Sequence, residues 1–531
     1  MQRDSAVSRL RAGAEVFDII IVGGGASGLG AAVDAASRGY RVALIEQADF
    51  AQGTSSRSTK LVHGGVRYLK QGDISLVRSA LRERGLMQRN APHLVHPLAF
   101  VIPNYSRLDN WFYRIGMTVY DRLAGGLSLG RSQGLSRAET IKQLPTVEPK
   151  GLAGGVLYYD GQFDDARLAI NLAQTAVAHG AVVANYCSCV GLIKEQGRVA
   201  GVLARDVEAG AEFELRARVV INATGVFVDA VRRYDEPESK SLVAVSQGVH
   251  VVLPRRFLPG TSALMVPKTA DGRVLFAIPW HDRLVVGTTD TPGVAPTLEP
   301  RAQDAEIDFI LEHARKYLVT DPGESDVLSV FTGLRPLVSR GSNGNTATLS
   351  RDHTIAISAS QLITLTGGKW TTYRKMAEDV INQAEHVGGF TPRACRTTGL
   401  AIHGAADPTT IAPELRIYGS DAAAVASLAR LDPALNQRLH PELPFRQADV
   451  VWQVRNEMAR TVEDVLARRA RALVLDARAS IEIAPVVARI LARELGREPI
   501  WVDDQVRTYT HLARGWLLPN ATIVQDAAQL Q

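Results

Sequence analysis

Cysteine is scarce in this chain: Cys187, Cys189 and Cys395 are all that occur in 531 residues. Their spacing matches no zinc or dithiol redox motif, and a disulfide-rich secreted scaffold is excluded. They read as structural thiols in a reducing, cytosolic setting, and no metal site is expected. No apolar run is long and charge-free enough to span a bilayer. The opening stretch, MQRDSAVSRLRAGAEV, lacks the apolar centre of a secretory signal. Internal repeats and low-complexity tracts are missing, which excludes solenoid architectures. What remains is ordinary for a globular protein with a large core: 46% hydrophobic and 22% charged residues, at a length that suits about three domains.

Charge is unevenly placed. The chain carries a net +5, yet residues 67–137 hold eleven basic side chains against four acids, a local +7. The same segment carries Trp111, Phe112, Tyr113, Met117 and Tyr120. Basic residues interleaved with aromatics suit contact with anionic lipid headgroups. A solvated basic face on helices that pack into the protein is the equal alternative. Nucleic acid is not expected as a partner, because the basic charge comes without dispersed base-stacking motifs.

The most informative stretch is FDIIIVGGGASGLGAAVDAASRGYRVALIE, residues 17–46. An apolar run at 17–22 predicts a buried strand that leads into Gly23, Gly25 and Gly28, spaced G-x-G-x-x-G. A helical pattern follows, then a second apolar run at 42–45 ending at Glu46. In such a unit the first glycine permits a tight turn, the second lets a pyrophosphate approach the backbone, and the third lets helix and strand pack closely. The helix N-terminus offers free N–H groups and a partial positive charge to phosphates. Glu46 stands where a carboxylate accepts hydrogen bonds from a ribose diol. That acid favours FAD or NAD over NADP.

Elsewhere, residues 1–15 read as a loose lead-in, and helices are predicted at 75–95, 110–124, 164–180 and 303–318. Strands are predicted at 181–183, 216–223 and 362–365. Residues 243–290 alternate apolar and polar side chains, predicting an antiparallel sheet with one face buried and one open. Beyond about residue 396, alanine, arginine, leucine and glutamate recur at helical spacing, with few helix breakers over 456–484. This predicts a separate helical domain whose arginines form solvated faces paired with nearby acids. The expected organisation is a discontinuous FAD-binding domain (14–75, 150–235 and 326–395) and a substrate or cap region (76–149 and 236–325). The helical domain takes 396–531. The fold class is thus α/β and α+β, a Rossmann-like FAD domain carrying an inserted antiparallel-sheet domain.

Three segments point to flavin. VVINATGVFVD (219–229) is a strand ending at Ala223, Thr224 and Gly225. LITLTGGKWTTYRK (362–375) ends at Gly367 and Gly368, with Lys369 and Thr371 at a helix start whose N–H groups suit the negative charge of a reduced isoalloxazine. GTSSRSTKLVHGGVRYL (53–69) supplies Thr54, Ser55, Ser58, His63 and Gly65, small or polar groups that let backbone pass close to a flat ring. Cations gather in the same loops: Arg67, Arg335, Arg351 and Lys369. Arginine forks and a lysine point charge suit a phosphate dianion.

GGGASG (23–28), TSSRSTKLVHGGVRYL (54–69), INATG (221–225), PWHDRLVVGTTD (279–290), GLRPL (333–337), SRDHT (350–354) and GGKWTTYRK (367–375) together resemble the flavin-dependent glycerol-3-phosphate dehydrogenases that reduce quinone. The resemblance runs from near the N-terminus to about residue 375, and a helical C-terminal domain also fits it. It implies FAD at the glycine motif, and substrate contacts from Arg67, Tyr68, Arg335, Arg351 and Lys369; His63 and Cys187 give no spacing signal for covalent attachment, so the FAD is expected to be noncovalent. Departures at Trp370 and His281 are minor. The implied chemistry is oxidation of sn-glycerol 3-phosphate to dihydroxyacetone phosphate by hydride transfer to flavin N5. Arg335 would stabilise the developing alkoxide, with His63 as candidate base. His250, in QGVHVV, either lines the substrate side or is a hydrogen-bonded structural histidine, and the second reading is preferred. Electrons would pass to quinone at an anionic membrane surface, which makes the enzyme a cytoplasmic, peripherally attached homodimer. The alternatives are an oxidase making peroxide, a flavin oxidoreductase of hydroxy or amino acids, and a non-catalytic flavin- or nucleic-acid-binding module.

Overall fold

The strand Val16–Val22 forms where the sequence is apolar without alternation, and Ile19, Ile20 and Ile21 are fully buried. Such a run needs cover on both faces, which a parallel sheet provides. The computed structural model describes residues 1–13, 15–65, 74–269, 272–338 and 353–519. In it, Val16–Val22 lies between Glu212–Asn222 and Val42–Ile45, parallel to both. Val182–Ala184 adds a parallel strand beyond Val42–Ile45, and Ile363–Gly367 adds one beyond Glu212–Asn222. The helices Ala26–Ser37, Asp165–Ala178 and Tyr373–Val387 cover one face, packing on Ile19, Ile21 and Leu44. The other face carries an antiparallel meander, Cys187–Glu195 with Arg198–Asp206.

The lead-in is not loose. Residues Arg3–Arg11 form a helix that buries Val7 and Leu10 against this second face. Arg3 is buried and donates to the carbonyls of Asn185 and Tyr186 and, at 2.6 Å, to Asp206.

The second sheet is mostly antiparallel. Val243–Pro254 pairs with Arg283–Gly287 and Ser329–Val338, and the sheet continues through Leu275–Trp280, Ala263–Val266, Val95–Asn104 and Gly154–Phe163. Gly154–Phe163 and Ser329–Val338 fall in segments assigned to the cofactor domain, but they belong here. Gly154–Phe163 pairs along its length with Val95–Asn104, and Ser329–Val338 with Val243–Pro254. Nor is one face of this sheet open. Val249, Val251 and Leu284 pack toward the helix Asp304–Arg315, while Val252, Val285 and Phe331 pack on the C-terminal helices. The polar members of the alternation meet protein partners instead of water: Gln247 donates to Glu306 at 2.7 Å, and His250 meets Thr59 at 3.0 Å.

The C-terminal segment is helical as expected, and Arg455 and Arg507 are exposed and paired with Glu494 and Asp504, but other arginines of the segment are not solvated. Its helices Gln447–Glu457, Ala477–Leu495 and Pro499–Arg514 are interrupted between the first two. Met458 and Arg471 take positive φ (56° and 61°), and a π turn spans Asp464–Arg469. The break turns Arg468, Arg469 and Arg471 inward, each at most 2% exposed. Arg469 grips Asp49 through two bonds of 2.6 and 3.0 Å. Arg471 reaches Asp165 at 2.8 Å and the carbonyl of Ser56 at 3.0 Å. Asp165 also takes Lys60 at 2.7 Å, so one buried carboxylate holds two buried cations. Removing one partner of such a cluster leaves buried charge uncompensated, at a cost of about 3–5 kcal/mol. Asp165→Ala should therefore lower the urea midpoint of the purified protein markedly; a midpoint equal to wild type would show that the cluster does not hold the fold.

Candidate active site

The glycine motif makes a floor that no side chain could share. Gly23 takes φ +113°, and a Cβ there would stand 2.6 Å from the carbonyl oxygen of Ala223. A Cβ on Gly28 would lie 1.9 Å from the Gly23 oxygen, so the helix Ala26–Ser37 starts hard against its strand. Gly25 is the N-cap of that helix, and Ser55 Oγ accepts from the Ala26 N–H at 2.9 Å. Glu46 closes the turn from the side, accepting from Gly24 at 2.6 Å and Ala48 at 3.0 Å. Burial pushes its carboxyl above the ordinary range.

A groove of about 260 Å³ opens over this floor, lined by Gly23, Gly25, Glu46, Thr54 and Ser55. Ala223, Thr224 and Gly225 line one side, and Gly367, Gly368 and Lys369 close the far end. There it adjoins a chamber of about 320 Å³, and the two share Thr54, Pro336, Gly367, Gly368, Lys369 and Trp370. A slot that starts on a glycine floor at a helix N-terminus and runs on into a second chamber fits an extended dinucleotide better than a compact ligand.

The chamber brings together His63, Arg335, Lys369, Gly65 and Thr371 from three distant segments. Thr371 Oγ1 accepts from the His63 N–H at 3.2 Å. Arg335 is held by the carbonyls of Gln247 and Thr289, the Thr288 hydroxyl and Asp290, all at 3.1–3.2 Å. Gly248 makes room for it, since a Cβ there would stand 2.2 Å from the guanidinium. Ser58 lines the chamber but turns its amide and hydroxyl onto Asp165, at 3.0 and 2.7 Å, so it anchors the loop. Arg67, Tyr68 and Arg351 lie outside the described residues. His250 lines the chamber, stacked 4.6 Å from Phe331. Burial, with Lys60 and Arg335 nearby, pushes its imidazole well below the usual range and keeps it neutral.

Residues 18–374 match the FAD dependent oxidoreductase family, and residues 358–503 match the C-terminal domain of alpha-glycerophosphate oxidase. The chain is similar to the mitochondrial glycerol-3-phosphate dehydrogenase of Homo sapiens, 39% identical over 527 residues covering 93% of this chain and 72% of the human protein. It belongs to the FAD-dependent glycerol-3-phosphate dehydrogenase family. The probable mitochondrial glycerol-3-phosphate dehydrogenase of Caenorhabditis elegans is likewise 39% identical, covering 95% of this chain and 73% of that one. The glycerol-3-phosphate dehydrogenase of Bacillus halodurans, solved with FAD, superposes with a TM-score of 0.81 at 27% identity, covering 98% of each chain. The L-alpha-glycerophosphate oxidase of Mycoplasma pneumoniae shares the fold, at a TM-score of 0.56 and 18% identity.

FAD is thus the cofactor of this flavoenzyme. Sequence reasoning missed two acids of the chamber, Asp290 and Asp160. Asp290 ends the quoted run PWHDRLVVGTTD, but only the fold brings it to Arg335. Asp160 sits in a strand with no motif of its own. Trp370, taken for a minor departure, lines both cavities and donates to the Ser55 carbonyl at 2.9 Å. Gly28→Ala must push the helix off its strand and should weaken FAD retention by about tenfold or more, roughly 1.4 kcal/mol. The measure is the visible flavin absorbance after gel filtration; full retention would refute the assigned packing role.

Proposed function

We propose that this chain oxidises sn-glycerol 3-phosphate to dihydroxyacetone phosphate and passes the electrons to a membrane quinone. The observation that carries the reading is the chamber holding Arg335 and Lys369 where it meets the dinucleotide groove. Bound FAD supplies the hydride acceptor. Lys369, with Arg67, Tyr68 and Arg351 of the matching motifs, takes the substrate phosphate. Arg335, fixed by four acceptors, faces the C2 oxygen and stabilises its developing negative charge. His63 takes the hydroxyl proton as the C2–H bond breaks.

A surface helix supports the membrane acceptor. Arg107–Ala124 starts at the N-cap Ser106, whose hydroxyl accepts from Leu108 N–H. Its outer face shows Leu108 (81% exposed), Trp111 (68%), Phe112 (52%) and Ile115 (45%) to solvent. A contiguous apolar face of that kind marks an interaction surface, and Arg114, Arg122 and Arg131 beside it match anionic headgroups. Among the described residues no helix is long and apolar enough to cross a membrane; the one-sided apolar face of this helix suits the interface of one leaflet. The match to the alpha-glycerophosphate oxidase C-terminal domain favours a second reading, with oxygen as acceptor.

Anaerobic addition of glycerol 3-phosphate to the yellow protein should bleach the flavin band stoichiometrically; an unchanged spectrum refutes the substrate assignment. Peroxide formation at the rate of substrate loss would replace quinone by oxygen. Arg335→Ala should lower kcat by about 10²–10³, the usual effect of losing a transition-state donor, in a steady-state dye-reduction assay. Trp111→Ser with Phe112→Ser should weaken flotation with anionic vesicles by about 10², near 3 kcal/mol of lost apolar burial; undiminished flotation would move the membrane contact elsewhere.

A further inference from the structure

The inner face of the same helix reaches the flavin-side loop. Tyr113, Met117, Tyr120 and Ala124 recur at helical spacing and pack inward, with Tyr120 only 1% exposed. The Tyr120 hydroxyl accepts from the Gly64 N–H at 2.8 Å and donates to the Asp160 carboxylate at 2.9–3.0 Å. Arg84 donates to the same carboxylate at 2.6 Å. Gly64 is held close: a Cβ on it would meet Leu81 at 2.6 Å and the Tyr120 oxygen at 2.7 Å. Its neighbours His63 and Gly65 line the chamber, and so does Asp160. Burial raises Tyr120 well above the usual phenol range, so the hydroxyl keeps its proton and donates. A buried polar network in which one hydroxyl bridges an amide and a carboxylate fixes geometry tightly, because each lost bond strands a partner.

We propose that Tyr120 is a positioning residue that links the lipid-facing helix to the loop carrying His63, so that docking on an anionic bilayer steadies that loop. The inference rests on the membrane and flavin assignments of the preceding subsection. Residues 108–119 and residue 120 belong to one helix, so restraint of the outer face reaches the Gly64 amide through the Tyr120 hydroxyl. The coupling is a shift of population between looser and tighter loop conformations.

The holoenzyme is compared free and on vesicles of phosphatidylglycerol and phosphatidylcholine. A soluble dye serves as acceptor, so that quinone access plays no part. Hydrogen exchange of the peptide covering residues 61–65 should slow several-fold on vesicles, and kcat should rise. Tyr120→Phe holoenzyme should float with vesicles as wild type does. Its exchange at 61–65 and its kcat should no longer respond to lipid, with KM for glycerol 3-phosphate within about twofold of wild type. Wild-type exchange that slows over 107–124 but not over 61–65 overturns the proposal, as does full lipid stimulation in Tyr120→Phe. If that variant does not fold, the wild-type exchange decides alone. A chain that takes up no FAD, or never floats, overturns the preceding reading along with this one; yellow, floating protein without coupling overturns this one only.

Discussion

The geometry of the site depends on one buried carboxylate. Asp165 opens the helix Asp165–Ala178 at the edge of the dinucleotide domain. It binds the amide and hydroxyl of Ser58, the ammonium of Lys60 and the guanidinium of Arg471. Burial pushes Lys60 down to about 7; Arg471 adds to that, and Asp165 opposes it. The loop so held supplies Thr54 and Ser55 to the groove and Ser58 and Thr59 to the chamber. Buried ion clusters are costly to desolvate and add little net stability. Their value here is positional: the loop between the groove and the chamber is fixed from behind by a residue more than four hundred positions later in the chain.

A second contact of the same kind joins the C-terminal segment to the other end of the slot. Burial alone would raise Asp49, but Arg469 and Arg468 hold it down at about 2. Asp49 lies three residues after Glu46, whose carboxylate closes the glycine turn. The helical segment thus braces both the glycine turn and the loop that lines the chamber.

These contacts explain what could and could not be read from the sequence. The strand, glycine turn, helix and acid of residues 17–46 are local, and each glycine has a steric reason visible within its own motif, so they were legible. The cationic chamber was legible in part: Lys369 sits in a turn of glycine and hydroxyl residues, whereas Arg335, expected in a loop, lies in the strand Ser329–Val338. The fate of Arg468, Arg469 and Arg471 was not legible. An amphipathic pattern gives the same signal whether its charged stripe faces water or a buried carboxylate on another segment. Only the breaks at Met458 and Arg471, which carry no glycine or proline, turn that stripe inward. The antiparallel sheet failed for a related reason: Gln247 and His250 look like solvent-facing positions until Glu306 and Thr59 arrive from elsewhere. The lead-in was misread because a nine-residue helix with two buried apolar side chains has almost no periodic signal.

The discontinuity of the nucleotide domain follows from where its slot lies. Parallel strands gather their C-terminal ends along one edge, and loops leaving that edge surround the ligand. The cost of closing a loop rises only with the logarithm of its length, so a whole sheet can be inserted between two such strands for little more than a short turn. What must be supplied is closure at the ligand, and the structure shows it in three cross-links. Thr54 donates to the Leu334 carbonyl at 2.6 Å, Trp370 to the Ser55 carbonyl at 2.9 Å, and His63 to Thr371 at 3.2 Å. Each joins residues about three hundred positions apart, and each has at least one member lining the slot. The inserted sheet delivers Arg335 and His250 to the same place, because its strands Ser329–Val338 and Val243–Pro254 are in register at Arg335 and Ser246. The glycine floor and Lys369 therefore come from the first sheet and Arg335 from the second, and the two meet where the groove adjoins the chamber.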